Sequence, residues 1–135
     1  MTPDELRALL RGARTIAVVG LSPKPYRPSH GVARYLQQAG YRIVPVNPAH
    51  DAILGERCFP PLTAAATEHP IDVVDVFRRS EFAGAVVDEA LPLRPRLIWL
   101  QEGVVDPAAA ERARAAGVPF VMDRCLMVDH QVLEA

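Results

Sequence analysis

Residues Thr15 to Val46 read TIAVVGLSPKPYRPSHGVARYLQQAGYRIVPV. The opening TIAVVG is an unbroken run of small and β-branched apolar residues, the pattern of a strand covered on both faces. Val32, Ala33, Leu36 and Ala39 then recur at helical spacing, and Gly40 stands where a helix C-terminal cap belongs. Tyr41–Val46 is again strand-like. Its Pro45 cannot donate to a ladder, so it belongs near the strand's end or on its open side. A strand, a helix and a second strand within this length make a parallel pair joined by a right-handed crossover.

The remaining chain continues the rhythm. Upstream, Thr2 and Glu5 form a T-x-x-E capping box with Pro3 at the first helical position, and Gly12 ends that short helix. Downstream, a short edge strand is expected within Ile53–Phe59 and a stub of helix around Leu62–Thr67. Ile71–Phe77 reads as a strand, and Ser80 opens a helix with Phe82, Val86 and Ala90 on one face. Arg96–Leu100 is another strand with Trp99 in the core. Asp106–Pro107 caps a helix ending at Gly117, and Pro119–Asp123 is a last strand before a C-terminal helix. The expected architecture is a single α/β domain over residues 1–135, an open, doubly wound, mostly parallel sheet of five to six strands with helices on both faces. Ile16–Val19 is expected at the centre, between Ile43–Val46 and Ile71–Val76.

Composition narrows the function classes. Half the residues are apolar, 23% are charged and the formal net charge is −1, so bulk attraction to nucleic acid is not expected. No apolar run approaches the roughly 18 residues needed to span a bilayer. The acidic, polar start MTPDELRALL does not read as a signal peptide, which leads to an expected cytoplasmic location. Lys24 is the sole lysine among many arginines and Asn47 the sole asparagine, a bias shared by thermophiles and GC-rich genomes. Cys58 and Cys125 are too few and too far apart for a zinc or C-x-x-C motif. The four histidines lack ligand spacing, so no metal site is expected. Neither a Ser–His–Asp set nor a nucleophile elbow is visible.

In a doubly wound sheet, ligands bind beyond the carboxyl ends of the strands where the winding reverses. That rule brings together Gly20–Ser22, Phe77–Arg78 and Gln101–Gly103. The loop within VVGLSPKPYRPSHG (Val18–Gly31) spans about ten residues where such turns usually take two to six. Gly20 permits the sharp exit from the strand. The helix beginning at Pro28–Ser29 points free N–H groups and its positive end at the loop, a ready phosphate site. Lys24 and Arg27 add charge for a second anionic group.

A dinucleotide fingerprint needs close glycines and an acid at the end of the second strand. Here the chain reads Val46-Asn47-Pro48, and Asp51 comes too late, so NAD fits poorly. Arg78 either pairs with a phosphate or is a solvated helix-start residue, whereas Arg79 is expected to face solvent. Gly103 either allows close ligand approach or makes a turn. Asp72 and Asp75 point to opposite sides of the sheet and form no carboxylate dyad. Cys125, beside Arg124 at a helix start, is either a reactive thiol or a small buried hydrophobe; a helix N-terminus and a cation both favour thiolate.

Taken together, GLSPKPYRPSHG, PVNP, GERCFPPL, DVVDVFRRS, IWLQEGVV and AAGVPFVMDRC resemble the single-domain CoA-binding proteins. That family is in turn similar to the N-terminal domain of the succinyl-CoA synthetase alpha subunit. The resemblance runs from about Thr15 to Cys125. It implies a Rossmann-type domain holding coenzyme A across its strand ends. By position, Gly20, Leu21 and Ser22 with Lys24 and Arg27 resemble the phosphate loop, and Asn47 and Pro48 the turn beside the ligand. Val76, Phe77 and Arg78 resemble the strand end bordering CoA, and Gln101, Glu102 and Gly103 the segment near the pantetheine.

The synthetase's phosphorylated histidine lies in a second domain that this sequence lacks, and none of its own histidines inherits the role. The implied function is therefore non-catalytic binding of CoA or an acyl-CoA, with thiol exchange at Cys125. Two alternatives stand beside it: a CoA-binding component of an acyl-CoA ligase, or a regulator dependent on NAD or NADP. The expected partner is a small molecule, with a homodimer or a partner enzyme open.

Overall fold

The computed structural model describes residues 1–135. Five parallel strands form the sheet: β1 (Thr15–Val19), β2 (Arg42–Val46), β5 (Val73–Val76), β6 (Leu97–Leu100) and β7 (Phe120–Val121). Their spatial order is β2-β1-β5-β6-β7: β1 is flanked by β2 and β5 as expected, but the central strand is β5 rather than β1, because both later strands add on the β5 side. The winding reverses beside β1, and the chain is an α/β, Rossmann-like fold.

Helices α1 (Pro3–Gly12), α2 (Pro28–Gln38) and α6 (Leu126–Leu133) cover one face, packing Leu10, Leu36 and Leu126 over Ile16, Val18 and Trp99. Helices α3 (Leu62–Glu68), α4 (Ser80–Ala90) and α5 (Pro107–Ala115) cover the other, with Leu62, Val87 and Ala109 over Ala17, Val74 and Ile98. Alternate strand residues feed the two layers, which explains why every residue of β1, β5 and β6 is buried. No helix is long and apolar enough to cross a membrane.

Pro45 lies in edge strand β2 with its missing N–H turned away from β1. On that open side its carbonyl accepts the Phe59 N–H at 3.0 Å. The segment read as one edge strand is instead a small antiparallel hairpin, β3 (Ala52–Ile53) and β4 (Glu56–Arg57). Leu54 and Gly55 turn it with φ of 55° and 78°, a left-handed pair that matches strand twist. Phe59 beyond it makes a parallel bridge to Val46.

The inner face of α4 is Ala83, Val87 and Ala90, not the expected Phe82, Val86 and Ala90. Alanine lets the helix lie close to the sheet, and Phe82, 48% exposed, turns outward under the Arg78 guanidinium, 5.4 Å from its ring centre. Strand β7 is shorter than expected because Asp123 turns the chain with φ 60°.

Candidate functional site

A cavity of about 560 Å³ opens at the carboxyl ends of β1, β5 and β6, where α2 and α6 begin. Gly20 leaves β1 with φ 87°, its N–H donating to the Val46 carbonyl at 3.0 Å. An added Cβ would overlap the Phe77 carbonyl oxygen and lie 3.1 Å from the carbonyl carbon, so the ends of β1 and β5 approach closely only through glycine.

The following loop is held by its own polar groups. Ser22 N–H donates to Ser29 Oγ at 3.0 Å, and Lys24 N–H donates to Ser22 Oγ at 3.1 Å. His30 Nδ1 lies 3.0 Å from the Ser22 carbonyl oxygen. Asn47 fastens the loop from the neighbouring strand, donating from Nδ2 to the Leu21 carbonyl at 2.9 Å while its Oδ1 accepts the Ala49 N–H at 2.8 Å. Helix α2 starts beside this loop with Pro28, no side-chain cap and no acid in its first turn. No acid in its own first turn therefore offsets its positive end. Neither Lys24 nor Arg27 forms an ion pair. Such a loop can receive a polyanion.

Of the residues singled out from sequence, Gly20, Ser22, Lys24, Arg27 and Asn47 line the cavity from one side. Phe77, Gln101, Glu102 and Cys125 line it from the other. Leu21, Pro48, Val76, Arg78 and Gly103 do not line it. Leu21 and Val76 are fully buried in the two core layers. Arg78 is occupied with Phe82, while Arg79 is exposed and 3.7 Å from Glu81. Gly103 makes a turn with φ 84°, its N–H donating to Asp123 Oδ1 at 2.8 Å.

Ser29, Val32, His50 and Val104 also line the cavity and were not singled out. Ser29 carried a signal, since the first turn of the helix after a phosphate loop must face the ligand. A wider cleft of about 1030 Å³ lies near the amino ends of the strands. Of its arginines, Arg11 is already held by Glu134 at 3.0 and 3.1 Å.

Cys125 is the N-cap of α6, half-buried, with a free thiol on the cavity. Arg124, expected to assist it, instead places Nε 2.7 Å from Asp129 Oδ2, because that carboxylate sits in the first turn of α6. Cys58 is buried elsewhere, and burial followed by the Asp51 charge pushes its thiol up from the usual range. Asp72 accepts the Arg14 and Thr15 N–H groups at 2.8 and 3.0 Å. Asp75 lies wholly inside the sheet's packed face.

Residues 14–131 match the model of the CoA binding domain family. A Bacillus subtilis protein, YneT, is 41% identical over 128 residues, covering 95% of this chain and 93% of its own. A solved Thermus thermophilus structure, cell-free ID.343, superposes with a TM-score of 0.92 at 44% identity, covering 98% of this chain and 99% of that one. RSP, a repressor solved in complex with β-NADH, shares the fold with a TM-score of 0.59 at 14% identity, over 97% of this chain and 66% of its own.

Proposed function

The chain belongs to the CoA-binding domain family, and from that premise we propose that residues 1–135 form one domain binding coenzyme A or an acyl-CoA without turning it over. The observation that carries this is the Gly20–Arg27 loop: two cations without acidic partners beside the uncapped start of α2. Coenzyme A brings a diphosphate and a ribose 3′-phosphate, more negative charge than NAD. Helix N–H groups suit the first, and Lys24 with Arg27 suits the second. Phe77 and Val104 give apolar wall for the pantetheine arm. Against a nicotinamide dinucleotide stands Asn47, whose side chain is spent on Leu21 and Ala49 where a ribose-binding acid would be needed.

Calorimetry with CoA and dephospho-CoA tests the phosphate assignment. CoA is expected to bind more tightly, and Lys24→Ala or Arg27→Ala to narrow that gap by about threefold to tenfold, the scale of a partly screened ion pair. Equal affinity of the unaltered protein for both ligands removes the role.

The Cys125 thiol also supports exchange with oxidised CoA. Its thiolate attacks one sulfur of the CoA disulfide, a protein–CoA disulfide forms, and the other CoA leaves as thiolate. Intact-mass measurement is expected to show one CoA adduct, reversed by a phosphine and absent from Cys125→Ser. An adduct that persists in that variant contradicts the assignment.

A further inference from the structure

Gln101 brings to the cavity a polar group that has no partner within the protein. Its side chain lines the cavity, yet the residue is only 4% exposed. Its Oε1 accepts the Leu126 N–H at 3.2 Å. A backbone N–H can be met only by the amide oxygen, so this bond fixes which way the amide faces. The Nε2 group makes no hydrogen bond within the protein and is left as a donor open to a ligand in the cavity.

The residue bonded to Gln101 directly follows Cys125, whose thiol lines the same cavity. The turn between them is fixed at two further points: Trp99 Nε1 donates to the Arg124 carbonyl at 2.7 Å, and Asp123 Oδ1 accepts the Gly103 N–H at 2.8 Å. An amide donor and a thiol at the start of α6 thus belong to one rigid unit. A carbonyl bonded to sulfur is a ligand group that can use both.

Resting on the CoA reading, we infer that the cavity accepts an acyl-CoA thioester and that its acyl group passes to Cys125. The Cys125 thiolate adds to the carbonyl carbon, the carbon–sulfur bond to CoA breaks, and CoA leaves as a thiolate that takes up the proton Cys125 gave up. One thioester replaces another, so no oxidant or reductant is consumed. Gln101 Nε2 and the positive end of α6 meet the negative charge on the carbonyl oxygen in the tetrahedral state. The transfer is stoichiometric, one acyl group per chain.

Acetyl-CoA is the probe, in buffer containing a phosphine so that disulfides cannot form, with intact mass and peptide mapping as readout and CoA calorimetry run alongside. One acetyl group is expected on Cys125, released by hydroxylamine. Gln101→Glu keeps an acceptor for the Leu126 N–H and removes the donor, and is expected to slow transfer about a hundredfold. Gln101→Met removes the donor without adding charge and gives a second measurement, with thermal unfolding of both variants separating lost rate from lost fold. CoA binding without acetyl on Cys125, acetyl on Cys58 instead, or an unchanged rate in a folded Gln101 variant overturns the inference. Failure of CoA to bind overturns the underlying reading.

Discussion

Replacing Gly20 with alanine is expected to destabilise the fold by about 2–5 kcal/mol and to abolish CoA binding. The left-handed backbone contributes about 1–2 kcal/mol of that, since a Cβ at φ 87° crowds its own carbonyl. The remainder, about 1–3 kcal/mol, comes from overpacking against the Phe77 carbonyl, which belongs to a strand end and cannot rotate aside. Phe77 N–H donates to the Val19 carbonyl at 2.8 Å, so a shift that makes room also opens the β1–β5 ladder beneath the cavity. Gly31 is the control: it lies inside α2 with open space where a Cβ would go. Gly31→Ala is expected to stabilise by about 0.5–1 kcal/mol. Denaturant unfolding with calorimetry checks both, and a Gly20→Ala protein of ordinary stability that still binds CoA contradicts the close approach.

The second large effect concerns Asp75. It pairs in register with Val18 and Trp99, is fully buried, and neither carboxylate oxygen has a hydrogen-bond partner. Burial holds its carboxyl well above the usual range. The folded state therefore keeps this proton more tightly than the unfolded chain does. Stability linked to Asp75 is fully present below the unfolded value of about 3.9, and is lost as pH rises from there through the folded value. Asp75→Val is accordingly expected to be more stable than the unaltered protein at neutral pH, by about 1–3 kcal/mol. The advantage should shrink as pH falls toward about 4. Asp75→Asn removes the pH dependence while keeping an unsatisfied polar group, so its gain is smaller. Equal stability of the valine variant and the unaltered protein at neutral pH contradicts an unpaired carboxyl.

The neighbours of β1 and the location of the cleft were legible because they follow from few signals. An apolar run, a glycine, a charged loop and an amphipathic helix left little choice over Thr15–Val46. Which side chains enter the cleft was less legible. Phe77 and Gln101 line it, whereas Val76 is buried on the opposite layer. Both faces of this sheet are covered, so strand residues are apolar in both directions and the two-residue period leaves no polar stripe to read. Leu54 is a different case: leucine at positive φ is not a turn signal, and the hairpin it builds with Gly55 was read as a single strand. The tie between Ser22 N–H and Ser29 Oγ had no sequence signal, because which hydroxyl meets which N–H depends on how the loop folds back on α2.

The coenzyme assignment is tested most directly by competition calorimetry of the unaltered protein with CoA and NADH. One CoA is expected to bind per chain, and NADH neither to bind with comparable affinity nor to displace it. Saturable NADH binding that excludes CoA, or no heat with CoA at all, would contradict the account.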